Sequence, residues 1–192
     1  MKHLILVTSP PASGKTFVSK QLAKRFRNIV YLDKDALVPL SNRIFLAGNE
    51  EINRSSAFFE ENIRNYEYIA ILDIAFEALE YADLVLINAP FTREVRDNDY
   101  IRDLKAKLSE LGAELTVVWV ETDIEVSHKR MIARNSPRDT WKLAHWDEYV
   151  AGRNYSTPTI PELSDCLVKF YNSNSEEFNE SIERITKYLL EK

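Results

Sequence analysis

Cysteine is almost missing from this sequence. Cys166 stands alone in 192 residues, which excludes an intramolecular disulfide and any cysteine-rich zinc site. Its simplest reading is a buried strand residue. The three histidines, His3, His128 and His145, have no metal-ligand spacing. No apolar run approaches the ~20 residues of a membrane span, and Leu4–Val7 is too short for a signal peptide. Positive charge is not in surplus either. Against 30 acidic residues stand 25 basic ones, giving a net charge of −5 and a pI near 5.4. Such a chain has no overall basic field with which to grip a phosphate backbone. Asn53, Asn154 and Asn179 fit the glycosylation pattern, but with no export signal the matches are put down to chance. These absences lead to the expectation of a soluble cytoplasmic protein without membrane partners.

What the chain does contain is the material of a core. Hydrophobic residues make up 45% and aromatics 11%, too much for intrinsic disorder. At roughly 100–200 residues per domain, residues 1–192 are expected to form one domain. Four short apolar runs, Leu4–Val7, Ile29–Leu32, Leu84–Ile87 and Leu115–Val120, are each bounded by turn or polar residues. Cys166–Tyr171 is a fifth. Such runs read as buried strands, with a buried helix segment as the rival.

Between them lie helical patterns: Val18, Leu22 and Phe26; then Ile69, Leu72, Phe76 and Leu79; then Ile101, Leu104, Leu108 and Leu111; and last Phe178, Ile182, Ile185 and Leu189. Gly112 suits a C-cap, and Ser173–Glu176 fits a capping box. Strands alternating with amphipathic helices predict an α/β fold with a five-stranded parallel sheet covered on both faces. The stretch between Val120 and Cys166 holds a helix and then a polar segment rich in Arg and Trp, which suggests a lid over about 130–155.

The first strand runs into Ser9-Pro-Pro-Ala-Ser-Gly14-Lys15-Thr16 and then a helix. This order is close to the phosphate-binding loop G-x-x-x-x-G-K-[ST], with Ser9 in place of the first glycine. Pro10 and Pro11 donate no N–H, so the cradle falls to Ala12, Ser13, Gly14, Lys15 and Thr16. Lys15 would reach the β- and γ-phosphates and the Thr16 hydroxyl would ligate Mg²⁺. The bland alternative is a chance Gly-Lys-Thr turn.

With these residues the chain resembles the small P-loop kinases, the group of polynucleotide kinases, zeta toxins, chloramphenicol phosphotransferase, gluconate kinase and shikimate kinase. The resemblance covers most of the chain in element order, and its motifs are the loop, Asp33–Asp35, Asn88–Arg96 and Arg130–Arg138. It implies a three-layer P-loop NTPase domain with ATP and Mg²⁺. It also implies that Asp33 helps hold the metal and that Asp35 accepts the proton of the substrate hydroxyl. The competing reading of Asp35 is a helix N-cap. Asn88 stands where an aspartate usually ends the strand. Arg96, and less strongly Arg43, would lie on the substrate side, while Arg93 reads better as a solvated helix start. Arg130, Arg134 and Arg138 resemble lid arginines that close over ATP, with Arg130 the readiest to be structural. Trp141, Trp146 and Tyr149 could line a pocket or pack the lid.

The implied activity is transfer of the γ-phosphate of ATP to a hydroxyl of a small acceptor. The alternatives are a polynucleotide 5′-hydroxyl kinase, for which the acidic pI is unfavourable, and an ATP-binding switch without turnover. A guanine-reading Asn-Lys-x-Asp motif is absent.

Overall fold

The computed structural model describes residues 2–136 and 139–191. Five strands, β1 (Lys2–Thr8), β2 (Ile29–Asp33), β3 (Leu84–Asn88), β4 (Ala113–Glu121) and β5 (Leu167–Tyr171), form one sheet in the order β2-β3-β1-β4-β5. Every pairing is parallel. Leu4 pairs in register with Val85 and Leu115, so β1 is flanked on both sides and is buried from His3 to Thr8. That double burial is why it reads as an unbroken apolar run rather than an alternating one.

Alternate residues of the central strands feed two cores. Leu4, Leu6, Val85, Ile87, Val117 and Trp119 pack with the buried sides of α4 (Asn65–Tyr81) and α5 (Asn98–Glu110). Ile5, Val7, Leu86, Val118 and Val120 pack with Val18 and Leu22 of α1 (Lys15–Ala23) and with Ile182, Ile185 and Leu189 of α9 (Ser175–Leu190). Each fully buried aliphatic side chain contributes about 1.5–3 kcal/mol relative to exposure. The result is a three-layer α/β fold, and the strand order puts the switch of direction at β1, whose carboxyl end opens onto the crevice between its neighbours.

Several local expectations are corrected. α1 stops at Ala23, so Phe26 lies beyond it, although it still packs on the second core. In α4 the buried stripe is Tyr68, Ile71, Ala75 and Leu79, whereas Ile69 is 53% exposed. The cap of α9 is shifted by one residue: Asn174 Oδ1 accepts from the Glu177 amide, and Glu177 Oε2 accepts from the Ser173 amide. Gly112, with φ +64°, does close α5. α6 (Ile124–Arg134) ends on Asn135 in the left-handed region.

Residues 38–64, which carried no assigned pattern, form α2 (Val38–Ala47), a helical turn α3 (Ala57–Phe59) and a π-helical stretch Glu60–Arg64 leading into α4. Past Asn135 come two short helices, α7 (Thr140–Ala144) and α8 (Trp146–Ala151). No helix among the described residues is long and apolar enough to cross a membrane.

Candidate active site

The loop after β1 is bent by two residues at positive φ, Ala12 at +65° and Gly14 at +82°. A side chain on Gly14 would be strained twice. Its φ is one that L-residues rarely adopt, and its Cβ would come within 2.5 Å of Asn172 Nδ2. Asn172 is there because it grips the loop: its Nδ2 donates to the Ser13 carbonyl at 2.7 Å. Thr122 Oγ1 donates to the same oxygen at 3.0 Å, and Arg130 Nη1 reaches it at 3.4 Å. Arg130 Nη2 also binds the Asn172 carbonyl at 2.7 Å. Gly14 is the N-cap of α1, which has no side-chain cap and no acidic residue in its first turn. A helix N-terminus without an acidic cap suits an anion.

Asn88 ends β3 level with Asp33 at the end of β2, and its amide ties the site together. Oδ1 accepts from Lys15 Nζ at 2.6 Å and from Ser19 Oγ at 3.3 Å. Nδ2 donates to Asp33 Oδ2 at 2.8 Å and to Thr16 Oγ1 at 3.2 Å. A lysine only donates and a carboxylate only accepts, so an amide satisfies both neighbours where a carboxylate would not. Asp33 also accepts from Tyr31. Burial, with the Asp33 carboxylate beside it, pushes the Tyr31 hydroxyl up and keeps it a donor.

Asp33 also caps the 3₁₀ turn Lys34–Leu37, accepting from the Asp35 amide at 3.0 Å. The capping role weighed for Asp35 therefore falls to Asp33. Thr16 and Asp33 present a hydroxyl and a carboxylate oxygen around one donor, hard ligands of the kind Mg²⁺ takes alongside phosphate oxygens and water. Among the described residues no group of three or more His, Cys, Asp or Glu is gathered for a metal. These residues fit an ion held largely by phosphates.

Asp35 faces a cavity of about 310 Å³ bounded by Ser9–Ala12, Gly14–Phe17, Pro90, Arg134 and Lys142. Of the residues singled out from sequence, it gathers Ala12, Gly14, Lys15, Thr16, Asp35 and Arg134. Ser13 and Arg130 lie behind the loop, as described. Arg96 donates to the Ser156 and Asn154 carbonyls and lies over the Trp119 ring. Arg43 is exposed on α2, and Arg93 pairs with Glu60. Arg138 and Pro137 lie outside the described residues. Trp146 stacks on His128, and Tyr149 is the buried residue of α8.

Four contributors carried no sequence signal: Asn172, Lys142, Asp139 and Glu67. Asp139 is fully buried and pairs with Arg134 Nη2 at 2.6 Å and Lys142 Nζ at 3.0 Å. Burial alone would raise its pKa, but the bonds from Lys142 and Arg134 prevail and hold it low. Glu67, in α4, lies beneath the 3₁₀ turn and receives Lys34 at 2.6 Å, Ser41 at 2.5 Å and a two-pronged Arg54 at 2.8 and 2.6 Å. This buried cluster anchors the turn that carries Asp35. Glu67 is 33 residues from Lys34, a pairing only the fold makes; Asp139 is near Arg134 and Lys142 in sequence, but nothing in that polar segment marks it as buried.

The AAA domain family matches residues 4–154, and the chain belongs to it. Its fold is that of the small P-loop kinases. A kinase candidate from Chloroflexus aurantiacus superposes with a TM-score of 0.67 at 18% identity, covering 99% of this chain and 97% of that one. Shikimate kinase of Bacteroides thetaiotaomicron gives 0.56 at 14%, with 98% of both chains covered. Kti12 of Chaetomium thermophilum, solved with ADP-AlF3, gives 0.54 at 17%, covering 96% and 97%. No curated protein matches the chain in sequence.

Proposed function

We propose that this protein is an ATP-dependent phosphotransferase whose acceptor is a hydroxyl of a small molecule, acting in the cytoplasm. Residues 1–192 work as one P-loop unit in this reading, with about 130–155 as its lid. One observation carries it: a single cavity is lined by the phosphate loop together with Asp35 and Arg134.

Lys15 and the amides of Ala12–Thr16 hold the phosphates. Thr16 and Asp33 would hold Mg²⁺, which when bound neutralises charge on the β- and γ-oxygens. Asp35 orients the acceptor hydroxyl and takes its proton. As that O–H bond breaks, the acceptor oxygen bonds to the γ-phosphorus and the β–γ bridging oxygen leaves with ADP. Arg134, with Arg138, offers guanidinium donors to the oxygens where charge spreads. Arg130 keeps the loop in shape from behind, and Arg96 and Arg43 border the acceptor side.

A second reading, an ATP-binding switch without turnover, is favoured by Asn88, whose amide ties up Lys15, Thr16 and Asp33 together.

The test is in two parts. Mg-ATP at 100 times its Kd should stabilise the wild type by about 2.7 kcal/mol by mass action, and Lys15→Ala should lose most of that while folding normally. Equal shifts in the two proteins overturn the loop assignment. A screen with labelled ATP against polyols, sugars, hydroxy acids and a 5′-hydroxyl oligonucleotide then separates the readings. Labelling of a small acceptor supports the first, labelling of the oligonucleotide supports a polynucleotide kinase, and tight ATP binding without transfer supports the switch.

A further inference from the structure

The cavity bordered by the phosphate loop is also lined by two cations, Arg134 at the end of α6 and Lys142 in α7. Both are joined to one carboxylate, and they use different oxygens of it. Asp139 Oδ2 takes Nε and Nη2 of Arg134 at 2.9 and 2.6 Å, while Oδ1 takes Lys142 Nζ at 3.0 Å. Asp139 has no exposed surface. A buried carboxylate left without its counter-charges is strongly unfavourable, so the two cations are held to it.

The ammonium of Lys142 lies also 5.9 Å from the centre of the Tyr149 ring, which fixes its stem from the α8 side. An ammonium has three N–H donors, and the bond to Asp139 uses one. The charged residues lining the cavity are Lys15, Arg134 and Lys142 with Asp35; with Asp139 offsetting one cation the balance is still positive, which favours an anion. Lys142, Asp35, Lys15 and Thr16 border the same space, the one in which an acceptor would meet the terminal phosphate.

We propose that Lys142 is a phosphate-binding residue specific for the terminal phosphate of a nucleoside triphosphate, and that Asp139 is the positioning residue that holds it and Arg134 over the loop. The inference rests on the phosphotransferase reading and extends it to a residue outside the arginine pattern. Asp139 serves as a shared tether: it keeps the lid's cations preorganised and subtracts one charge from the pair.

The test compares Mg²⁺ complexes of adenylyl imidodiphosphate and of ADP by calorimetry, on wild type, Lys142→Ala, Lys142→Arg and Asp139→Asn. Lys142→Ala should lose about tenfold or more in affinity for the triphosphate analogue, as for one charge-assisted hydrogen bond, and change little toward ADP. Lys142→Arg should recover much of the loss. Asp139→Asn should lower the triphosphate-to-diphosphate preference in the same direction, beyond any fall in melting temperature. If Lys142→Ala weakens both nucleotides equally, or neither, Lys142 is only a partner of Asp139 and the inference fails while the loop assignment stands. If the wild type binds neither nucleotide, the phosphotransferase reading falls and this inference with it.

Discussion

Glu67 makes the stability of the protein depend on acid in a way that can be measured. Burial would raise its pKa, but bonds from Arg54, Lys34 and Ser41 outweigh it and hold the carboxyl at about 2. An ordinary glutamate lies near 4.3, and each tenfold step in the acid constant is worth about 1.4 kcal/mol. The depressed value therefore corresponds to about 3 kcal/mol of folding stability. Because the folded pKa lies below the unfolded one, that contribution is fully present above about pH 4.5 and is lost as the pH falls toward 2.

Glu67→Gln keeps the shape and one acceptor but removes the charge, leaving Lys34, itself 3% exposed, without its counter-ion. Breaking one side of a buried pair costs about 3–5 kcal/mol. The assay is urea unfolding of wild type and variant at pH 7, 4.5, 4.0 and 3.5. Other carboxylates titrate alike in both proteins, so the informative quantity is the gap between them. It should be about 3 kcal/mol or more at pH 7 and should close by up to about 1.4 kcal/mol per pH unit below 4.5. A gap that stays constant to pH 3.5 would refute the assignment of that charge to Glu67.

Two further outcomes concern the loop and the base. Asp35→Asn should leave melting temperature and nucleotide affinity near wild type, since Asp33 does the capping, while phosphoryl transfer to the screened acceptor falls about 10²–10⁴-fold; transfer at the wild-type rate would remove Asp35 as the base. Gly14→Ala should destabilise the apo protein by about 1–2 kcal/mol from the left-handed backbone alone and weaken Mg-ATP binding, since Asn172 must also move; an unchanged melting curve and ATP titration would count against the close approach at that glycine.

The sheet was legible because parallel strands buried on both faces leave continuous apolar runs, and all five runs are strands. The loop was legible because its residues are consecutive. Helix faces were read less well. α4 carries apolar residues on more than one side, with Leu72 and Phe76 packed at the margin of the core and Ile69 outside it, so periodicity alone did not single out the buried stripe. The stretch 38–64 gave no pattern because α2 buries Ser41 and Phe45 while Leu40, Ile44 and Leu46 are exposed, and because one part is π-helical, with a repeat unlike 3.6. Asp33 was visible as a carboxylate at a strand end, but its contacts with Asn88 and Tyr31 were not. The links that shape the site join Ser13 to Asn172, Lys15 to Asn88 and Lys34 to Glu67. Each connects segments far apart in the chain, and no local signal encodes such a pair.

The amide of Asn88 has a consequence for how a phosphate would arrive. Lys15, Thr16 and Asp33 are already engaged through one side chain, so filling the loop is an exchange rather than an addition. In the proposed reading an incoming anion would take over the lysine from Oδ1, and a cation joining Thr16 to Asp33 would take the place of Nδ2. The two replacements are coupled because both partners sit on one rigid planar group. Drawing Lys15 away turns or strips the amide, which loosens its hold on Asp33 as well. Anion and cation would thus compete against a single internal ligand, and arriving together they would displace it at both ends.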